Sequence, residues 1–337
     1  MAALVAVLCW NPPARAADAE VKIDPAQFEA DVRSISKHPS RMVGSEGYYK
    51  TQDYIRQQIA KIRADGGEVE LREHKYKVIM PVTKRAELVL ENAPSGVDRT
   101  LKVHPFWPAA VRVSSTPREG ITGKLVYCGN ATLEEIVPGK LEGQIAVVES
   151  TAGQNWTNVM YYGARAVIVL ENPPTSDAAK VQPAPGQTTN TDLRYHELLI
   201  PVNLPRFYLP AEGPSAPLVQ GLRSGTIKDV QATLFAEVHL EEVEATNFYA
   251  LVRSPQLAAV AKLPQTAQWA LARTMNFGPP GWSQSVNPAS LVISAAYDSS
   301  SLVPDLAPGA SQAVQTAAAL GLLRDLARKP VGRPVLV

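Results

Sequence analysis

The sequence is poor in cysteine, in histidine and in excess charge of either sign. It has only two cysteines, Cys9 and Cys128, and five histidines among 337 residues. Lys and Arg number 33 against 32 Asp and Glu, and the basic residues are scattered singly. Such a sequence offers no cationic patch for a phosphate backbone. We therefore expect no nucleic-acid partner.

Long hydrophobic runs are also missing. No stretch approaches the roughly 20 apolar residues that are needed to span a bilayer, so we expect no transmembrane span. The first sixteen residues combine an apolar run at 2–10 with an Ala-Arg-Ala site at 14–16, which is typical of a cleaved signal peptide. We expect export to the periplasm, the cell surface or the medium. Cleavage removes Cys9 and leaves Cys128 alone, so no intramolecular disulfide is expected.

The composition of the sequence indicates a folded protein with both helices and strands. Apolar residues make up 45% and charged residues 19%, which is enough to form a core. The length favours roughly two domains, at about 150 residues each. There are 28 prolines among 337 residues, above the usual share of about 5%. Many strand ends and ordered loops are expected, and an all-α fold is disfavoured.

Two amphipathic helices are predicted near the amino terminus. Asp24 is a typical N-cap, and Pro25 is favourable at the first helical position. The first helix ends near residues 38–39. The second has apolar residues at helical spacing until it stops at the glycine pair 66–67: Tyr48, Ile55, Ile59 and Ile62.

Alternating and apolar runs predict strands after these helices. Two strands are expected within residues 68–92, on either side of a turn at Pro81. Residues 120–237 have the pattern of a separate unit of short strands, with helical segments predicted at 132–137 and 156–164.

Beyond this block, further strands are predicted in 230–252, and a buried strand is predicted from 291. The segment 311–329 predicts a helix with an apolar face of Val314, Ala318, Leu322 and Leu326. The last five residues begin a strand. Because a parallel strand needs the rest of its sheet, we expect that the chain is a fragment, incomplete at its carboxyl end.

Three blocks, in order, resemble the co-catalytic zinc exopeptidases, the family of the bacterial leucyl aminopeptidases, glutamate carboxypeptidase and the transferrin receptor ectodomain. The first, residues 36–62, resembles the family's opening Arg, Gly-Ser and amphipathic helix. The second, within 119–237, is similar to the protease-associated domain that many members carry. The third, LVISAAYDSSSLVPDLAPGAS from residue 291, resembles the family's strand, His-x-Asp turn, Pro-Gly-Ala-Asp turn and helix.

The resemblance implies an α/β sandwich with a mixed, mostly parallel sheet, interrupted by a β-rich protease-associated insert. The implied divisions are a signal peptide at 1–16, a first part of the peptidase-like domain at 17–118, the insert at 119–237, and the second part at 238–337.

The chemistry of that family needs two zinc ions, bridged by a carboxylate and held by His and carboxylate ligands. Where the family has the His of the His-x-Asp turn, this sequence has Ala296, and where it has the bridging Asp, this sequence has Ser311. A methyl group cannot bind zinc, and a neutral hydroxyl is a poor substitute for a carboxylate. Asp298 alone matches the motif, as a vestigial catalytic residue that would orient the missing His. We therefore expect no metal at this site and no cofactor.

Other candidate residues have simpler interpretations. Asp305 could replace the lost bridge, but it lies six residues before the matching position. His239 and Glu241 would share one face of a strand, although a solvated edge explains them better. Cys128 follows a β-rich segment without a nearby His, which favours a buried apolar role over a catalytic thiol. The remaining histidines, without ligand spacing, are expected at the surface or in loops: His38, His74, His104 and His196.

These observations favour an exported, aminopeptidase-like protein that lacks catalytic activity and acts by binding a peptide or a protein. Two alternatives stay open. The first is an active zinc exopeptidase whose missing carboxyl-terminal part completes the ligand set. The second is a structural or adaptor segment of a longer envelope membrane protein.

Overall fold

The computed structural model describes residues 22–107, 112–171, 202–253, 291–331 and 335–337. The predicted signal peptide, 1–16, lies outside them. The described helices are α1 (Pro25–Ser36), α2 (Glu46–Ala64), α3 (Trp156–Tyr161), α4 (Ala216–Ser224) and α5 (Ala310–Arg328). The described strands are β1 (Glu70–Leu90), β2 (Thr100–Lys102), β3 (His104–Pro105), β4 (Ile121–Tyr127), β5 (Ile145–Glu149), β6 (Ala166–Leu170), β7 (Arg206–Leu209), β8 (Gln231–Val252), β9 (Leu291–Val292) and β10 (Val335–Leu336).

Two long strands, β1 and β8, form an antiparallel ribbon that runs through the molecule. The prediction of two strands separated by a turn at Pro81 is wrong, because β1 continues through this residue and pairs Pro81 with Leu240. Strand β2 joins β1 only at residues 87–89, so β1 is paired on one side at Pro81. A proline in such an edge position can leave the ladder intact.

The remaining strands extend this ribbon into one mixed sheet. Its path is β2-β1-β8-β4-β5-β6-β7-β3, with β10 and β9 added beside β8. Strands β4 to β7 form a parallel run, and they lie inside the block predicted as an insert. The predicted helix at 132–137 is wrong. It is a single turn, in which Glu135 accepts from the backbone and hydroxyl of Thr132.

Two hydrophobic cores cover the faces of the parallel run. One includes β1 and β8 residues and Leu218 and Leu222 of α4. The other surrounds the fully buried Trp156 of α3 and includes Leu302 and Val303, from the segment before α5. This segment therefore attaches the predicted insert to the second part of the predicted peptidase-like domain.

The helices α1, α2 and α5 form a layer at the end of β8 that lies away from the parallel run. Helix α1 begins at Pro25 as predicted and ends at Ser36, shortly before the predicted end, and Asp24 caps it by accepting from the backbone N–H of Ala26. Helix α2 ends at Ala64, just before the predicted stop at the glycine pair 66–67. The predicted face of α5 is only partly buried. Leu326 is buried as predicted, whereas Val314 is exposed. The buried stripe also includes Ala313, Ala317, Leu320 and Leu323. Apolar residues surround this helix almost completely, so its periodicity alone could not select the buried face.

The strand predicted from residue 291 is short and exposed rather than long and buried. Only Leu291 and Val292 form β9, with exposed fractions of 47% and 58%. Strand β9 pairs in parallel with β10. The last residues therefore form a strand, β10, as predicted.

The fold class is thus the predicted one, an α/β architecture with a mixed sheet. Within the described ranges, no helix combines the length and the apolar character that crossing a membrane requires.

We predict that the buried carboxylate of Asp31 is essential for attaching α1 to α5. It accepts two hydrogen bonds from the Arg324 guanidinium, at 2.6 and 3.0 Å, and one from the Tyr54 hydroxyl at 2.6 Å. Asp31→Ala removes the buried negative charge that pairs with Arg324, which then keeps only its hydrogen bond to Gln58, and should lower the free energy of unfolding by about 3–5 kcal/mol. Urea denaturation measures the change.

The control is Glu29→Ala on the same helix. Glu29 forms an exposed pair with Arg33, so this change should cost no more than about 0.5 kcal/mol. Equal effects of the two substitutions would contradict the prediction.

Candidate functional site

Two turns that match the zinc-exopeptidase motifs lie side by side in the structure. The first contains residues 295–299, and the second contains residues 307–311 at the start of α5. The chain at Ser40 and Arg41 passes between them. Arg41 donates its backbone N–H to Ala307 O at 2.9 Å, and Ser299 donates its own to Arg41 O at 3.2 Å. The first motif block therefore joins the two later turns.

The guanidinium of Arg41 strengthens this junction. Its side chain is fully buried and donates to the carbonyls of Pro308 at 2.8 Å, Gly309 at 2.6 Å and Tyr297. Burial lowers the pKa of Arg41 to about 10, and the negative charge of Asp298 opposes this shift. Arg41 therefore remains charged at neutral pH and holds both turns through backbone oxygens.

Close packing around Arg41 requires glycine at residue 309. Gly309 has φ +59° and precedes the first residue of α5. A Cβ atom there would lie 2.5 Å from Ser299 Cβ and 2.9 Å from Arg41 Nη2. Residues other than glycine rarely adopt this backbone conformation. The close packing of the Pro-Gly-Ala turn therefore requires glycine at residue 309.

A tyrosine pair, in which Tyr48 is buried and Tyr297 is partly buried, also supports the first turn. The hydroxyls of Tyr48 and Tyr297 lie 2.7 Å apart, and the rings stack at 5.3 Å. Tyr297 donates to Thr246 O at 2.6 Å, and Gln52 donates to Tyr297 at 3.2 Å. Burial, together with the hydrogen bond to Tyr48, raises the pKa of Tyr297. The pair is therefore a neutral hydrogen-bonding group that joins α2, β8 and the turn.

The tips of the two turns carry the residues that the resemblance places at the family's ligand positions. Both Ala296 and Ser311 are exposed, and Asp298 is partly exposed. Thr316 of α5 donates to Ala296 O at 2.9 Å, which holds the tip of the first turn. Ser311 donates to the side chain of Gln312 at 2.9 Å.

These side chains do not fit zinc. A methyl group and a neutral hydroxyl stand where zinc chemistry needs imidazole and carboxylate. Among the residues that the structure describes, no cluster of three or more His, Cys, Asp or Glu could hold a metal ion. We therefore derive no metal-dependent step from this site.

Asp305 lies away from the tips and pairs with a histidine. Its Oδ2 is 3.5 Å from Nδ1 of His104, a residue that is only 5% exposed. The prediction of a surface or loop position is therefore wrong for His104, because it lies in β3, pairs with Tyr208 of β7 and contacts Asp305 of the segment before α5. Burial acts to raise the pKa of Asp305, but the neighbouring His104 and Thr83 side chains hold this pKa below its ordinary value.

The other candidates lie apart from the turns. His239 pairs with Glu237 at 2.9 Å, and Glu241 pairs with Lys84 at 2.7 Å, which makes this part of β8 the predicted solvated edge. Cys128 is buried as predicted, and burial raises the pKa of its thiol to about 12. His74 is exposed and His38 partly so, whereas His196 lies outside the described residues.

An apolar cavity of about 300 Å³ lies directly beside the first turn. Its wall includes Ala295 and Tyr297 of the turn and Thr316 of α5. The rest of its lining comes from α2, β8 and α5 and from the segments at β9 and β10, and none of the described residues that line it is charged. The site therefore combines an exposed turn with an uncharged, mostly apolar cavity.

Neither a protein-family model nor a curated protein matches the sequence. Among solved structures, the zinc aminopeptidase BSAP from Bacillus subtilis matches with a TM-score of 0.51 at 14% identity, over 94% of this chain and 61% of that chain. A peptidase M28 precursor from Shewanella amazonensis SB2B gives 0.49 at 14% identity, over 93% and 63%. An aminopeptidase from Aneurinibacillus sp. strain AM-1 gives 0.39 at 16% identity, over 93% and 61%.

The chain therefore has an aminopeptidase-like α/β fold, and at this identity the likeness shows the fold alone. It spans about three fifths of the length of these solved aminopeptidases. The expected resemblance to zinc exopeptidases is confirmed at the level of the fold.

The sequence patterns predict both turns but not the residues that connect them to distant segments. The pattern around Tyr48 predicts only a buried helix face, and the pattern around His104 predicts only a surface or loop position. No local pattern marks either partner, because Tyr48 and Tyr297 are 249 residues apart.

We predict that Arg41→Lys destabilises the protein strongly. A lysine amine cannot reproduce the planar fork that contacts three carbonyls, so buried acceptors lose their donors. The free energy of unfolding should fall by about 2–4 kcal/mol. The matched control, Arg33→Lys at an exposed pair, should change it by less than about 0.5 kcal/mol.

Urea denaturation measures both variants, and amide hydrogen exchange at Arg41 and Ser299 reports on the turns themselves. Wild-type stability and exchange in Arg41→Lys would contradict the assigned role.

The His104–Asp305 pair should make stability depend on acid. Because the folded state lowers the pKa of Asp305, its stabilisation is present above the ordinary value of 3.8 and is lost as the pH falls through the folded value. At pH 6, Asp305→Asn should be less stable than the wild type by about 1–3 kcal/mol.

This difference should shrink as the pH falls below about 4, and His104→Asn should reduce the acid dependence in the same way. Chemical denaturation between pH 7 and pH 3 gives the result. A difference that stays constant to pH 3 would refute the assignment.

Proposed function

We propose that this chain is a peptide-binding or protein-binding member of the aminopeptidase fold that holds no catalytic zinc. The observation that carries the proposal is the pair of turns around Arg41. Arg41 holds their backbone through hydrogen bonds to Pro308 O and Gly309 O, yet their tips present Ala296 and Ser311. Without zinc there is no activated water to attack a peptide bond.

The physical basis of the proposal is that the clamp does not depend on the ligands. Arg41 contacts only backbone oxygens of the turns, and Thr316 contacts the carbonyl of Ala296. Replacing a ligand side chain at a tip therefore leaves these hydrogen bonds in place. The scaffold and its cavity can persist after the chemistry is lost.

Binding would use the exposed turn and the cavity beside it. Apolar lining with a few polar groups is the usual composition of a ligand site. The hydroxyl of Ser294 and the amide of Asn247 supply polar groups, and both residues are exposed. Asp298 supplies a negative charge near the same turn.

Export and the protease-associated insert belong to the proposal as well. The apolar run and the Ala-Arg-Ala site support export. The insert assignment is supported by the short strands within 119–237, whose faces are covered by two cores. A partner outside the cytoplasm follows from both.

Zinc titration of the full chain, by calorimetry and metal analysis, tests the proposal. We expect no tight zinc binding by the natural protein. The double variant Ala296→His/Ser311→Asp should gain measurable affinity that weakens in acid, because His must be neutral to bind metal. The control Val314→His/Gln315→Asp installs the same residue types on α5, away from the turns, and should gain none.

Stoichiometric zinc binding by the natural protein would overturn the proposal. It would favour the alternative of an active zinc exopeptidase, and hydrolysis of peptides with free amino termini would then be measured.

A further inference from the structure

A short segment, residues 300–306, joins the two turns of the candidate site. Its middle is buried, because Leu302 is 8% exposed and Val303 is fully buried. Both side chains belong to the hydrophobic core around Trp156, and Leu306 is partly buried against the same core. The chain between the turns, which we call the linking segment, is therefore anchored in a core.

This core belongs to a different part of the molecule from the turns. Apart from Phe106 and the linking segment, its described members all come from residues 121–171 and 202–224, which we call the parallel-strand unit. The helices α1, α2 and α5 pack in two other clusters. The linking segment therefore leaves the first turn, enters the core of the parallel-strand unit and returns to α5.

Polar contacts hold the linking segment at successive residues. Trp107 donates its backbone N–H to Leu302 O at 2.8 Å. The buried hydroxyl of Ser40 donates to Pro304 O at 2.6 Å. The pair at residue 305 described above adds a contact at the next position. These contacts and the buried side chains together fix the segment in one position.

The base of the linking segment is closed by the turns themselves. The hydroxyl of Ser299 donates to Ala307 O, so the intervening chain forms a closed loop. Two residues separate Ser299 from Leu302 at its tip. Three separate Val303 from Ala307, and one of them is Pro304, whose φ is fixed. Because so few residues connect tip and base, the position of the buried tip and the arrangement of the turns are coupled.

We propose that the linking segment is a conformational device by which the parallel-strand unit sets the arrangement of the two turns. Burial of Leu302 and Val303 stabilises the tip of the loop in the core. The closed base transmits this position to Ser299 and Ala307, each of which shares a backbone hydrogen bond with Arg41. Loosening the core around the tip should therefore open the turns, even though the turns lie outside that core.

This coupling goes beyond the proposed binding function and does not depend on it. It needs neither zinc nor a bound peptide, because every contact that carries it joins described residues of the chain. A partner that binds the parallel-strand unit and alters its core would change the turns by the same route.

Amide hydrogen exchange of the full chain, resolved to single residues by NMR, tests the proposal. The amides of Arg41 and Ser299 report on the turns. The amide of Leu125 in β4, which donates to Val230 O at 2.9 Å, is the reference. Global unfolding exposes all three amides, so a change confined to the turns alters the ratio of their protection to that of the reference.

Three substitutions remove the same two carbon atoms at different buried places. Val303→Ala acts in the linking segment, Val159→Ala in α3 on the same core, and Val219→Ala in α4 on the opposite core. We expect the first two to lower the ratio by about fivefold or more, because each leaves a void in the core that holds the tip of the loop. Val219→Ala should not lower it.

Circular dichroism and urea denaturation confirm that each variant is folded. The proposal is overturned if Val303→Ala or Val159→Ala leaves the ratio at the wild-type value, or if Val219→Ala lowers it as far as the other two. Zinc titration is a separate measurement, so the proposed absence of zinc and this coupling can each hold while the other fails.

Discussion

The buried guanidinium of Arg41 is the interaction on which the site depends. It lies between two turns that are separated from it by more than 250 residues in the chain, and it donates to backbone carbonyls of both. Burying such a charge is costly unless its hydrogen bonds are satisfied. The turns must therefore keep one arrangement, and the left-handed backbone of Gly309 allows them to approach closely enough.

In this arrangement, the backbone structure of the site does not depend on the side chains at the tips of the turns. The hydrogen bonds from Arg41 to backbone oxygens do not depend on the side chains of Ala296 and Ser311. An aminopeptidase-like fold can therefore keep its turns, its tyrosine pair and its cavity while it carries residues that cannot bind zinc. In the function that we propose, replacing a ligand at either tip costs little stability, and binding is the activity that remains.

The physical limits of sequence analysis are clear in particular elements. The helices α1 and α2 were predictable because their caps and apolar spacing are local. The ribbon was not, because β1 tolerates Pro81 only where the neighbouring edge is unpaired. The buried face of α5 also depends on its contacts, since a helix rich in alanine and leucine offers several apolar faces. The exposure of β9 depends on which strands pair with it.

By itself, the sequence determined the α/β class, the order of the motifs and the residues at the tips of the turns, because each of these is a property of neighbouring residues. Only the tertiary structure decided that Arg41 joins the turns, that His104 is buried against Asp305, and that an uncharged cavity opens beside Val292. These features join residues far apart in the chain, and their energies come from burial and from hydrogen-bond partners that no local pattern specifies.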